Sequence, residues 1–189
     1  MESVLIVAAS DKSAHDYTRM VGLASIDQIT TLQNCGDARR LLLEREFDIV
    51  VIHAPLPDES GESLAKQIVS SGITQVIYLV AGEYFDTISA SCESEGVLTL
   101  AKPVDSAVFW MALKLAIATQ NRLRRTQDEN NRLKKKIDDI RIVDRAKYLL
   151  ISHLNMNEQE AHRYIEKQAM DLRLARRTVA EGILKTYGD

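Results

Sequence analysis

Short apolar runs alternate with amphipathic stretches over the first 119 residues. The runs are Val4-Leu5-Ile6-Val7-Ala8, a weaker one at Gln28–Leu32, Asp48-Ile49-Val50-Val51-Ile52, Gln75-Val76-Ile77-Tyr78-Leu79-Val80 and Gly96-Val97-Leu98-Thr99-Leu100. They are short and rich in β-branched residues, the pattern of strands buried on both faces of a parallel sheet. Helix-length segments lie between them, at about 12–22, 37–46, 60–71 and 84–94, with another starting near 104. Five β–α units predict a doubly wound α/β domain, with strand order 2-1-3-4-5. Its site is expected at the carboxyl ends of the strands.

The last of these helices has no evident end. From Asp105 to Leu154 there is neither Pro nor Gly, so the chain forms one long helix or two with a subtle joint. Heptads place Phe109, Ala116, Leu123, Asn130 and Ile137 at a, and Ala112, Thr119, Thr126, Leu133 and Ile140 at d. The pattern holds from about 109 to 140 and fails at Asp144 and Lys147. A parallel coiled coil over 105–140 fits, with Leu123, Asn130, Leu133, Ile137 and Ile140 as a dimer seam and Asn130 fixing register. A helix packed on its own domain, with Asn130 exposed, fits as well. The helix should break at Asn155-Met156-Asn157, and Asn157 with Glu160 is placed like a capping box for the next one. That next helix has Ala161, Ile165, Ala169 and Leu172 on one face. A final helix is expected from about Leu174 to Tyr187, with Val179, Ile183 and Leu184 inward and Gly188 ending it.

Charge divides the chain. Residues 1–119 hold 8 Lys+Arg and 16 Asp+Glu, a net of −8, whereas 120–189 hold 16 and 11, a net of +5. The basic part has the composition to meet a polyanion, though mixed-charge helices are also commonly just solvated. No stretch approaches the ~18 uninterrupted apolar residues of a membrane span, and Met1-Glu2-Ser3 lacks a basic leader. A cytoplasmic protein is expected. Cys35 and Cys92 have no CxxC spacing, so neither zinc nor a disulfide framework is expected, and no other cofactor.

The stretch His53-Ala54-Pro55-Leu56-Pro57-Asp58-Glu59-Ser60-Gly61 resembles the receiver-domain pattern D-x-x-L-P-D-x-x-G, and Ala101-Lys102-Pro103 resembles the receiver Lys-Pro. The resemblance covers residues 1–119. It implies a phosphoryl-accepting aspartate at the first motif position, two acidic residues after the first strand that hold Mg²⁺, and a hydroxyl ending the fourth strand. Here His53 stands at the acceptor position, Ala8 and Ala9 at the acidic pair, and Val80 at the hydroxyl; Lys102 alone remains. A lysine by itself neither accepts a phosphoryl group nor binds Mg²⁺. The domain is therefore expected to be a degenerate receiver used as a protein-binding surface. His53 is expected to be tolerated rather than chemically active, and Asp58 to sit in the loop beyond the strand.

Arg141-Ile142-Val143-Asp144-Arg145-Ala146-Lys147-Tyr148-Leu149-Leu150 resembles the opening of an ANTAR domain. The match continues through Glu158–Ile165, Lys167-Gln168-Ala169-Met170 and Val179–Leu184. The resemblance, over 137–189, implies RNA binding and transcription antitermination. Arg141, Arg145, Lys147, Arg163, Lys167, Arg173, Arg176 and Arg177 are candidates to neutralise phosphates, and Tyr148 to stack on an unpaired base. Tyr164 fits core or stacking equally. The layout implies a homodimer on leader RNA, controlled by a ligand-sensing protein partner rather than by phosphorylation, and not an enzyme. Two other functions fit less well: a DNA-binding response-regulator-like transcription factor and a protein-interaction scaffold.

Overall fold

A computed structural model describes residues 3–24, 26 and 28–188. The chain divides into two compact units, Met1–Arg125 and Thr126–Asp189.

The first unit is a five-stranded parallel sheet, ordered β2-β1-β3-β4-β5. Its strands are β1 (Ser3–Ala8), β2 (Gln28–Leu32), β3 (Ile49–His53), β4 (Gln75–Ala81) and β5 (Leu98–Lys102). The central strands are rich in β-branched residues and buried on both sides, as the apolar runs predict. Three helices, α2 (Cys35–Glu44), α3 (Glu62–Ser71) and α4 (Phe85–Glu93), cover the face carrying Leu5, Val7, Val50, Ile52, Tyr78 and Val80. The other face, with Val4, Ile6, Ile49, Val51, Ile77 and Leu79, packs on α1 (Asp11–Gly22) and the start of α5 (Ser106–Leu154). Helix starts carry local caps. Ser10 Oγ accepts from Ser13 N at 3.2 Å and Asn34 Oδ1 from Asp37 N at 2.8 Å. The fifth strand begins later than its apolar run, because Gly96 takes φ +87° and its N–H closes the end of α4 on Glu93 O.

α5 is a single helix of 49 residues. Its first turns belong to the core of the first unit: Phe109, Ala112, Leu113 and Ala116 are buried against the sheet. This corrects the heptad reading from 109 onward, since Phe109, Ala112 and Ala116 are already occupied. Gln120, 3% exposed, then donates to Asp48 Oδ1 at 2.7 Å. The second oxygen of Asp48 accepts from Ser3 N at 2.8 Å and Ser3 Oγ at 3.1 Å. One carboxylate thus ties the start of β1 to α5 and satisfies the buried Gln120 amide. Beyond it, Leu123, Leu133, Ile137 and Ile140 are exposed, as is Asn130.

The second unit packs the end of α5 with α6 (Glu158–Leu172) and α7 (Arg176–Tyr187). Its core is Ala146 and Leu150 from α5, Ala161, Ile165 and Ala169 from α6, and Val179, Ala180 and Ile183 from α7. The capping box forms: Asn157 Oδ1 accepts from Glu160 N at 2.9 Å and Glu160 Oε2 from Asn157 N at 2.8 Å. Leu172, expected inward, is 57% exposed. Arg173 takes the left-handed conformation at φ 53° and Leu174 N bonds back to Ala169 O, so the last turn of α6 runs past the packed cluster. Leu184 is half-buried against the core.

Candidate functional site

The carboxyl ends of the strands form the first candidate. The register puts Ala8 beside His53, His53 beside Leu79, and Ala81 beside Lys102. A hollow of about 540 Å³ opens there among Ser13, Asp16, Tyr17, His53, Lys102 and Val104. Ala8 is fully buried and Ala9 exposed, and neither offers an oxygen ligand. Val80 is buried in the core and the next residue is Ala81, so no hydroxyl ends β4. Asp11, the nearest carboxylate following β1 in the chain, accepts from Gln33 Nε2 at 2.7 Å. The Lys102 ammonium donates to the Ala54 carbonyl, and desolvation holds its pKa below the usual value. His53 packs on the Tyr17 ring at 5.5 Å between centroids. Mg²⁺ requires hard oxygen ligands, and the set His53, Ala8, Ala9 does not fit it.

Asp58 has structural partners instead. Its carboxylate accepts from Cys35 N at 3.0 Å and Gly36 N at 2.9 Å, which caps the start of α2 and holds its pKa down. Glu59 is held by Arg39. Cys35, Asp58 and Glu59 bring three ligand atoms within 4.8 Å of one another. Burial pushes the Cys35 thiol up to about 12, with help from Glu59, so it stays protonated.

Burial first, and then the nearby Lys102 charge, lower the His53 pKa from its ordinary 6.5. Below that value the unfolded chain binds the proton more readily, so the contribution of neutral His53 to stability is lost as the pH falls through this range. Denaturant titrations at pH 7.5 and 5.5 are expected to show less stability at the lower pH, with His53→Gln reducing the difference. An unchanged difference would place the effect elsewhere.

The second candidate is the basic surface of the C-terminal unit. Arg141, Arg145 and Tyr148 lie on the side of α5 opposite Ala146 and Leu150, and Arg163 with Lys167 on the side of α6 opposite Ile165. These four cations and Arg173, at the end of α6, are exposed and make no ion pair among the described residues. The other three are engaged. Arg177 binds Asp138, Asp139 and Glu181 at 2.9, 2.6 and 2.8 Å. Arg176 meets Glu166 at 3.0 Å. Lys147 lies against Asp144 at 2.8 Å and Glu158 at 3.4 Å, its side chain 16% exposed and its pKa raised by these carboxylates. Tyr148 is 69% exposed and Tyr164 38%. Sequence reasoning passed over His153 and Tyr187, whose rings meet at 5.7 Å although 34 positions separate them. The spacing of Arg145, Leu149 and His153 at i, i+4, i+8 is the one local sign that they share a helix face.

Comparison with known proteins fits this division. Residues 131–184 match the family model described as the ANTAR domain. The first unit has the fold of solved receiver domains. The signal receiver domain of an HD domain-containing protein from Pseudomonas fluorescens Pf-5 matches with TM-score 0.58 and 24% identity, over 66% of this chain and 92% of that one. A two component transcriptional regulator AraC from Clostridium phytofermentans ISDg matches with TM-score 0.60 and 19% identity, over 66% and 98%. The class is thus a receiver-fold domain followed by an ANTAR domain. Among individual relatives, the transcriptional regulatory protein PdtaR of Mycobacterium tuberculosis (strain ATCC 25618 / H37Rv) is 28% identical over 141 residues, covering 75% of this chain and 69% of that protein. Among the described residues, no helix is long and apolar enough to cross a membrane.

Proposed function

We propose that the protein is a dimeric, RNA-binding transcription antitermination regulator, controlled by protein contact rather than by phosphorylation. The ANTAR domain at 131–184 carries this reading. The PdtaR relative, a transcriptional regulatory protein by name, supports it. So do the exposed cations Arg141, Arg145, Arg163, Lys167 and Arg173 of the second unit, which make no ion pair among the described residues. Two such modules held by one seam would bind paired RNA elements with an affinity that neither reaches alone. The seam would be Leu123, Asn130, Leu133, Ile137 and Ile140, all exposed in the single chain. Bound RNA would adopt a structure incompatible with a terminator hairpin. A ligand-sensing protein would regulate access by docking on the receiver-fold domain or the seam.

Sequencing RNA cross-linked to the protein in its native cell tests this reading. Hairpins upstream of terminators are expected. On the hairpins recovered, Arg141→Ala with Arg145→Ala should weaken binding and lower the slope of log affinity against log salt by about two. Preferential recovery of promoter duplex in a parallel DNA experiment would favour a DNA-binding factor. Unchanged RNA affinity and read-through in the double variant would favour a scaffold.

Control by contact has its own test. Incubation with acetyl phosphate and Mg²⁺ should give no acyl phosphate, and His53→Asp alone should not restore one, because Ala8, Ala9 and Val80 supply neither metal ligands nor a hydroxyl. An acyl phosphate on any aspartate of the wild-type chain would overturn the contact model.

A further inference from the structure

The C-terminal unit has a cleft of about 700 Å³ between α5 and α7. Leu149 and Leu184 give it an apolar floor, and Tyr148, His153 and Tyr187 give it aromatic walls. The His153 and Tyr187 rings are neighbours in it, 5.7 Å apart between centroids and tilted by 33°. Tyr148 is 69% exposed with its ring unburied by the fold. Arg145 stands at the rim with no ion pair among the described residues, one turn before Leu149 and two before His153. Asp144, also at the rim, is paired with Lys147. Gly188 completes the edge: a Cβ there would come within 2.5 Å of Leu184 O, so a larger residue would disturb the wall.

We propose that this cleft receives a single unpaired RNA base, stacked on Tyr148 or on the His153–Tyr187 pair, with the flanking phosphate on Arg145. The proposal rests on the RNA-binding reading and adds to it where sequence is read and by which groups. Three aromatic rings and one cation around an apolar floor match the chemistry of a nucleotide: a flat π-face, a hydrophobic edge and one negative charge beside it. A run of paired nucleotides does not fit, because an A-form helix keeps its base faces stacked and offers aromatic side chains nothing to stack on. The outer cations Arg141, Arg163 and Lys167 then serve the backbone, and the cleft serves the base.

The test uses the full-length protein and a pool of RNA hairpins with randomised loops carrying 4-thiouridine. After selection on wild type, irradiation is expected to cross-link loop nucleotides to peptides containing Tyr148, His153 or Tyr187. Tyr148→Ala and His153→Ala each change an exposed side chain, and circular dichroism checks that they fold. Each should weaken binding of selected hairpins about tenfold or more. Tyr187→Phe, which keeps the ring, should bind within about twofold of wild type, since stacking needs only the π-face. Annealing an oligonucleotide across the loop should abolish both the cross-links and the dependence on Tyr148 and His153. If hairpins are selected but the cross-links fall elsewhere and both alanine variants bind like wild type, the cleft assignment fails while RNA binding stands. If the wild-type protein enriches no hairpin, the RNA-binding reading fails and this proposal fails with it.

Discussion

Ile165→Ala is expected to unfold the C-terminal unit. Ile165 is 1% exposed and belongs to a core that has eight buried side chains among the described residues. Removing a buried isoleucine side chain costs about 2–5 kcal/mol, through lost transfer energy and the cavity left behind. A single core of this size rarely supplies more than about 3–5 kcal/mol in total. Four of these eight are alanines, so the helices already approach closely and have little room to collapse into the gap. Circular dichroism should show the helicity of the second unit lost, while the near-ultraviolet signal of Tyr78 and its neighbours in the first unit persists. RNA binding should disappear with the helicity. A variant that retains full helicity and melts as wild type would show that the unit draws its stability from elsewhere.

Gly61→Ala is expected to destabilise the first unit by about 2–5 kcal/mol, through backbone strain and overpacking together. Gly61 has φ +92°, in the region that side-chain-bearing residues rarely adopt. An added Cβ would lie 2.9 Å from Ile52 Cγ2, 3.4 Å from Tyr78 Cε2 and 3.5 Å from Leu56 Cδ1. Ile52 and Tyr78 are fully buried, and the Tyr78 hydroxyl donates to Ser60 O at 2.8 Å, so neither can retreat freely. Gly72→Ala is the control, because a Cβ at that position meets nothing within 4 Å. Urea midpoints should separate the two variants clearly. Equal shifts would mean that the turn after β3 can relax.

The glycine at this position was visible in the sequence only as the last letter of a motif. The structure supplies its reason, which is a crowded turn over the core. Other features were legible for physical reasons. The β-branched runs could only be buried strands, and the absence of any breaker between Asp105 and Leu154 left α5 no place to stop. Asn157 and Glu160 announced their capping box because both partners lie within one turn. Heptad periodicity misled at Phe109, Ala112 and Ala116, since a stripe at helical spacing looks the same whether it faces a partner or its own sheet. Long-range pairings carried no local signal. The Asp48–Gln120 bond spans 72 positions, and the meeting of His153 with Tyr187 depends on α7 folding back along α5. Nor could residue type alone separate the engaged cations Lys147, Arg176 and Arg177 from Arg145 and Arg163, which make no ion pair among the described residues.

Ala8 bears on a different matter. A receiver with its acidic pair and acceptor intact confines several negative charges at one end of a sheet, and their mutual repulsion is relieved only when a cation binds. That is the frustration a working site tolerates in exchange for chemistry. In this chain the pair is alanine, the acceptor is an imidazole whose neutral form burial favours, and Ala8 is fully packed. The repulsion has no source, so thermal stability should be the same in Mg²⁺ and in chelator.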